Sequence, residues 1–223
     1  LGLDPARPFI LYTTGMDRDF PEEVRHVRAV MGIIDGIEEL SRPQLVVRNY
    51  VKGTSPEMLA LAAENHPGLV FPPVLWEEKW FTPQYEDLAI YTGLLRHCVM
   101  GINAASTVSL ELMMHDKPVI NLGFDPPGSH IPPGYHWSRH IDFDHYRSVA
   151  SSGGVMVARS TRDLSEMIAR GLEYPETGWE VRQHFITATF GDTLDGKSGQ
   201  RAAEVLLSLA ETEHLKKEAK QHA

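Results

Sequence analysis

The stretch "GINAASTVSLELMMHDKPVINLGF", residues 101 to 124, decides how the chain is read. It passes from a strand end through Asn103-Ala104-Ala105-Ser106-Thr107 into a helix, then through Lys117-Pro118 into a second apolar strand. Small residues at a strand-to-helix junction let a ligand come close to the backbone. Free N–H groups at the helix start, with the Ser106 and Thr107 hydroxyls beside them, suit a phosphate. Glu111 follows four residues after Thr107 on the same helical face. A carboxylate there can accept two hydroxyl hydrogen bonds, as from a ribose. The same residues also describe a plain capped helix with Glu111 paired or exposed, so spacing alone leaves both readings open.

Working outward, strands and helices alternate. "PFILYTTG" (8–15), "QLVVRN" (44–49), "GLVFPPV" (68–74), "CVMGI" (98–102), "PVINLGF" (118–124) and "GGVMVA" (153–158) are continuous apolar runs. Helical periodicity falls at 20–40, 55–65, 85–97, 161–175, 178–190 and 198–217, with Ser55 and Thr161 as expected N-caps and Pro56 at a first helical position. Continuous rather than alternating apolar strands belong to a parallel sheet covered on both faces. The expected fold class is therefore α/β: a doubly wound, Rossmann-like parallel sheet with helices on both faces. Residues 1–210 form the expected single domain and 211–223 a polar tail. The segment "DPPGSHIPPGYHWSRHIDFDHYRSV" (125–149) shows no period and is expected to be an irregular, functional loop.

Composition narrows the function. The 223 residues are 42% hydrophobic and carry a net charge of −9, which argues against a general nucleic-acid binder. No run reaches the roughly 18 apolar residues of a membrane span. The single cysteine, Cys98, excludes an internal disulfide framework and points to a reducing, cytoplasmic setting.

In a doubly wound sheet ligands bind beyond the carboxyl ends of the strands. The candidate junctions are Thr13-Thr14-Gly15, Arg48-Asn49, Pro72-Pro73-Val74, Asn103 to Thr107, and Asn121 to Asp125. The dinucleotide, P-loop and nucleophile-elbow signatures are absent. His130, His136, His140 and His145 lie in a segment that reads as non-helical, so their spacing does not build a metal cage, and no metal is expected. Cys98 reads as core, and Trp76 and Trp80 as packing at the sheet edge.

These residues resemble the C-terminal, donor-binding domain of the GT-B glycosyltransferases. "LGLDPARPFILYTTG" is similar to the linker, first strand and glycine loop that open that half. "INAASTVSLELMMHDKPVINLGF", with Lys117 to Ile120 as the following strand, and "GGVMVARSTRDLSEMIARGL" resemble its later units. "DGKSGQRAAEVLLSL" is similar to the ending of the CDP-glycerol glycerophosphotransferase-like enzymes of surface-polysaccharide synthesis. The resemblance implies a nucleotide-diphosphate sugar held by Thr14, Gly15, Arg48, Pro73, Val74, Asn103, Ser106, Thr107, Glu111, Arg139 and His140. Glu111 would hold the ribose, and the base would lie near Pro72 to Leu75. The His-Pro pair usual after the second strand is here "RNYVKG", which leaves Arg48 or Lys52 for phosphate, with Arg139 and His140 in place of the usual basic clamp.

The resemblance assigns no catalytic residue to this half, no cofactor and no obligatory metal. It implies an N-terminal acceptor domain of the same parent protein, absent from this chain, without which transfer would fail. Peripheral membrane association of that parent is compatible with it. A non-hydrolysing sugar-nucleotide epimerase of the GT-B fold and a non-catalytic binding or interaction module are the alternatives.

Overall fold

The computed structural model describes residues 1–52 and 54–221, with side chains through residue 212; Gly53 and the end of the expected tail, 222–223, lie outside the described residues. The chain divides into two compact units, Leu1–Gln183 and His184–Ala223. The first unit holds the sheet. Its elements are β1 (Phe9–Thr13), α1 (Val24–Asp35), β2 (Gln44–Arg48), α2 (Pro56–Ala63), β3 (Leu69–Val70), β4 (Trp76–Glu77), β5 (Thr82–Pro83), α3 (Tyr85–His97), β6 (Met100–Asn103), α4 (Val108–Met114), β7 (Val119–Leu122), α5 (Ser138–Ile141), α6 (Asp144–Ala150), β8 (Met156–Ala158) and α7 (Thr161–Glu173). α8 (Trp179–Phe190) follows, and α9 (Ser198–Gln221) lies in the second unit, running through the stretch expected as a polar tail. Val205, Leu206, Leu207 and Leu209 of α9 are exposed.

The sheet has six strands in the order β3-β2-β1-β6-β7-β8, and every pairing is parallel. β1, β2, β6 and β7 are buried on both faces, as their unbroken apolar runs require. One face, with Tyr12, Val47, Ile102 and Ile120, joins a core shared with Val27, Val30 and Ile34 of α1, Met58 and Leu61 of α2, and Leu164 and Ile168 of α7. The other face lies under α3 and α4. Pairing begins on one side of β1 and resumes on the other at β6, so the switch in strand order falls between these two carboxyl ends.

Three expectations need correction. The segment 125–149 is not a structureless loop: it contains a 3-10 turn at Pro133–Tyr135 and both α5 and α6. What organises it is Trp137, which is fully buried and donates its indole N–H to the Pro21 carbonyl at 3.3 Å. Tertiary burial there outweighs a local pattern broken by prolines and glycines. The third strand shrinks from 68–74 to two residues, because Pro72 and Pro73 cannot donate to a ladder. The residues after it form the unexpected β4–β5 hairpin instead. Finally, α7 is capped by Ser160, whose hydroxyl accepts from the Asp163 amide while its own backbone stays extended; Thr161 is the first helical residue. Ser55 caps α2, with Pro56 behind it, as the sequence indicates.

At the carboxyl end of the sheet one register row is polar. Arg48 pairs with Thr13, Thr13 with Asn103, and Asn103 with Asn121. Partners in a parallel register point to the same face, so these four side chains emerge together beneath α3 and α4. Two residues earlier on β6 stands Gly101. A Cβ placed there would lie 2.1 Å from Leu112 Cδ1 and 3.0 Å from its Cγ. The glycine lets α4 sit down on the sheet. Gly101→Ala is expected to destabilise the protein by about 1–3 kcal/mol through overpacking, read as a lowered urea midpoint at unchanged m-value.

Candidate functional site

Two adjoining cavities open at the carboxyl ends of β1, β2 and β6, of about 380 Å3 and 290 Å3. They share Thr13, Thr14, Tyr50, Ser106 and Thr107 and so form one cleft at the switch point. The larger half adds Gly15, Asp19, Phe20, Arg139, His140 and His145. The narrower half adds Arg48, Asn49, Val74, Trp76, Leu88 and Tyr91. A larger cavity, about 960 Å3, lies at the opposite end, beside Pro8, Val99 and Pro118 at the amino ends of the strands. The strand-order rule favours the smaller cleft, since the loops that vary and converge are those after the strands.

Of the eleven residues named from the sequence, eight line this cleft: Thr14, Gly15, Arg48, Val74, Ser106, Thr107, Arg139 and His140. Three do not. Pro73 lies outside the lining but accepts from Arg48 Nη1 through its carbonyl at 2.5 Å. Asn103 is fully buried beneath the floor. Glu111 stands behind the narrower half, and the Tyr91 hydroxyl donates to its Oε2.

Asn103 belongs to a buried network that fixes the loop of residues 103–107. Its Oδ1 accepts from the Ser106 amide at 2.9 Å and from Asn121 Nδ2 at 3.0 Å, and its Nδ2 donates to Ser109 Oγ at 3.1 Å. The Tyr146 hydroxyl on α6 sits 2.8 Å from both Ser109 Oγ and Asn121 Oδ1. Burial pushes the Tyr146 phenol up to about 12, so it keeps its proton and its role as donor. The loop itself passes through Ala105 at φ +51°, a left-handed conformation unusual for a residue with a Cβ. The Ser106 amide, expected to face a phosphate, is therefore turned inward to Asn103, and the Ser106 hydroxyl accepts from the Val108 amide at 3.3 Å.

Arg48 is likewise held by the protein. Its Nη2 lies 2.6 and 2.7 Å from the two carboxylate oxygens of Asp87. Asp87 also accepts from the Leu75 amide at 2.8 Å and from the Trp76 indole at 3.0 Å. This buried pair ties β2, α3 and the chain before the β4–β5 hairpin together. Its geometry makes Arg48 a wall of the cleft rather than a freely presented cation. Arg139, on α5, supplies the half-buried positive charge of the cleft, and His140 beside it is buried. Arg139 donates through Nη1 to the Gly134 carbonyl, and its Nε lies 3.1 Å from His140 Nε2. Burial, then the Arg139 charge, lowers the His140 pKa, so the ring is neutral near pH 7.

The sequence did not single out Asp87, Tyr91 or Glu23. Asp87 and Tyr91 stand four apart on α3, with Leu88 between them, and that one-face spacing was the available signal. Glu23 sits at the start of α1 and is buried. It accepts from the Gly15 amide at 3.1 Å and the Tyr12 hydroxyl at 3.1 Å, which pins the first loop. Burial raises its pKa to about 8, partly opposed by those two hydrogen bonds. His26, one turn on, is pushed down to about 4 by burial and lies 3.0 Å from the Phe124 carbonyl. Thr13 Oγ1 and Asn49 Oδ1 are buried beside the cleft without a hydrogen-bond partner among the described residues. No three metal-ligating side chains converge among the described residues.

Two measurements follow from these groups. Glu23 holds its proton in the folded state between its unfolded pKa of 4.5 and about 8. Its stabilising contribution is complete below 4.5 and is lost as the pH rises through 8. His26 acts in the opposite sense: its contribution is present above 6.5 and lost as the pH falls through about 4. Urea denaturation between pH 6.5 and 8 isolates Glu23, and Glu23→Gln is expected to flatten the decline in stability seen there. Asp87→Ala, which strands Arg48 in a buried site, is expected to cost about 3–5 kcal/mol in the same assay.

No family model matches this sequence, and no curated protein matches it either. Solved structures do. The chain is similar to the wall teichoic acid polymerase TagF, with a TM-score of 0.58 and 11% identity over 97% of this chain and 47% of that one. It is similar to S. aureus MnaA, solved with UDP, with a TM-score of 0.52 and 14% identity over 89% of this chain and 45% of that one. It is also similar to CalG4, the calicheamicin glycosyltransferase, with a TM-score of 0.50 and 15% identity over 93% and 44%. The chain spans less than half the length of each of these structures. No helix among the described residues is long and apolar enough to cross a membrane. At such identities the likeness is one of fold: a parallel six-stranded sheet wrapped by helices, the Rossmann-like half of the GT-B architecture shared with glycosyltransferases.

Proposed function

We propose that this chain is the nucleotide-sugar-binding, carboxy-terminal half of a glycosyltransferase, which moves a sugar from a nucleotide-diphosphate donor to a glycan, lipid or other acceptor held by another part of the parent protein. The observation that carries this reading is the division of the cleft at the switch point. Its narrower half is bounded by Val74, Trp76, Leu88 and Tyr91 around the mutually neutralised Arg48–Asp87 pair, and its larger half carries Arg139, His140 and His145 beside Asp19, Phe20 and Phe143. A nucleotide diphosphate has the same division, with a flat base whose faces stack at one end and two phosphates at the other.

In this arrangement the base lies against Val74 and Trp76, and the ribose points toward Tyr91 and Glu111. The diphosphate meets the Thr14–Gly15 loop, the Ser106 and Thr107 region, and Arg139. Transfer breaks the bond from the anomeric carbon to the diphosphate oxygen, and negative charge builds on the leaving phosphate. Arg139 supplies a fixed positive charge where that charge develops, and His140, whose Nε2 accepts from Arg139 Nε at 3.1 Å, helps to hold it there. Arg48, paired with Asp87, shapes the wall of the nucleoside half.

Calorimetry with UDP, CDP and GDP and their sugars tests the reading. One nucleotide series is expected to bind the chain. Arg139→Ala is expected to weaken the diphosphate of that series about 10- to 100-fold, the size of one or two charge-assisted hydrogen bonds, while leaving the corresponding nucleoside nearly unchanged. Absence of heat and of any thermal shift with all of these ligands overturns it.

A further inference from the structure

The tie between Tyr91 and Glu111 has a shape that a simple helix-to-helix contact does not need. Tyr91 lies on α3, one turn beyond Asp87, and its ring lines the narrower half of the cleft. Glu111 lies on α4, half-buried, and is absent from the lining of either half. The Tyr91 hydroxyl therefore reaches from the cleft wall to the carboxylate behind it. Burial and the neighbouring Glu111 carboxylate both push the phenol above its ordinary value, so the hydroxyl remains a donor at any physiological pH. It occupies Oε2, one of the two oxygens that a sugar diol would use.

Resting on the nucleotide reading above, we infer that Tyr91 is a specificity-determining residue: its hydroxyl stands in for a ligand hydroxyl on Glu111, and a ribose diol engages both oxygens of Glu111 only by displacing it. The ligand exchanges a protein hydroxyl for its own, so a ribose gains little over a sugar lacking those hydroxyls. Two features support displacement over a fixed structural bond. The donor is a single hydroxyl at the end of an aromatic side chain, which moves by rotation of its own torsions without disturbing α3. The rest of the α3 face is already fixed by Asp87, which holds Arg48, Leu75 and Trp76 independently of Tyr91.

The test measures affinity for the ribonucleoside diphosphate that the wild-type chain binds, and for its 2′,3′-dideoxy counterpart. Tyr91→Phe frees Glu111 and is expected to tighten the ribonucleotide roughly three- to tenfold, the size of one hydrogen bond. The dideoxy ligand is expected to be unaffected. In a Glu111→Gln background the gain is expected to vanish, as for two residues that act through one contact. Unchanged or weaker ribonucleotide binding by Tyr91→Phe overturns the inference while the nucleotide reading stands. Equal tightening of both ligands also overturns it, because the effect then bypasses the hydroxyls. Failure of the wild-type chain to bind any nucleotide removes the nucleotide reading, and this inference with it.

Discussion

Everything at the carboxyl end of this sheet depends on one register row of polar side chains. Arg48, Thr13, Asn103 and Asn121 lie side by side on β2, β1, β6 and β7 and face the same way. The rows beneath them are apolar. Burying polar groups at the end of a core costs several kcal/mol each unless every donor and acceptor is met. Arg48 is met by Asp87 on α3, and the two asparagines by Ser109 on α4 and Tyr146 on α6. The row thus dictates where three helices must stand. Thr13 Oγ1 is the member left without a partner among the described residues, and it lies at the point where the two halves of the cleft meet.

The two halves of the cleft inherit different characters from that row. On the β2 side, Asp87 gathers Arg48, Leu75 and Trp76, so the wall is rigid and its one cation is neutralised. A neutralised, partly apolar wall suits a flat ring better than a phosphate. On the β6 side, the charge comes instead from α5, which the burial of Trp137 holds in place against α1. Trp137 packs edge-on to Phe20 and His26 at centroid distances of 5.0 and 4.5 Å. The position of α5 is therefore set by the aromatic packing of Trp137, and of His140 on Phe20 at 4.2 Å, together with the Arg139 bond to the Gly134 carbonyl.

The fold was legible from the chain because its signals were of the strong kind. Unbroken apolar strands alternating with capped helices admit few arrangements, and the parallel order follows. Ser55 and Pro56 marked the start of α2 by local chemistry alone. The segment 125–149 was not legible, because what folds it is the burial of Trp137 and Tyr146 against residues distant in sequence, and no local period records that. The loops that line the cleft were nameable from the small and hydroxylated residues after the strands, although the same residues also suit a plain capped helix start. Asp87 and Tyr91 were not, because they act through partners far away in sequence, and α3 looks like an ordinary amphipathic helix. Glu23 was hidden in a first turn where acidic residues are usually read as dipole partners; its burial against Gly15 and Tyr12 is a tertiary fact.

The loop of residues 103–107 gains a different meaning once its amides are followed. Small residues there suggested a backbone free to meet a diphosphate. Asn103 takes the Ser106 amide, Ser106 takes the Val108 amide, and Ala105 is held in a left-handed turn between them. That strain costs on the order of 1 kcal/mol and persists because the buried network over-determines the turn. The loop is consequently preorganised, with fewer free donors than an open helix start would offer. Strong anion binding by such a loop needs help from side chains, and the cationic side of the cleft is where that help stands. In the proposed reading the helix start fixes geometry at the switch point, and Arg139 brings the charge that an internally satisfied loop does not provide.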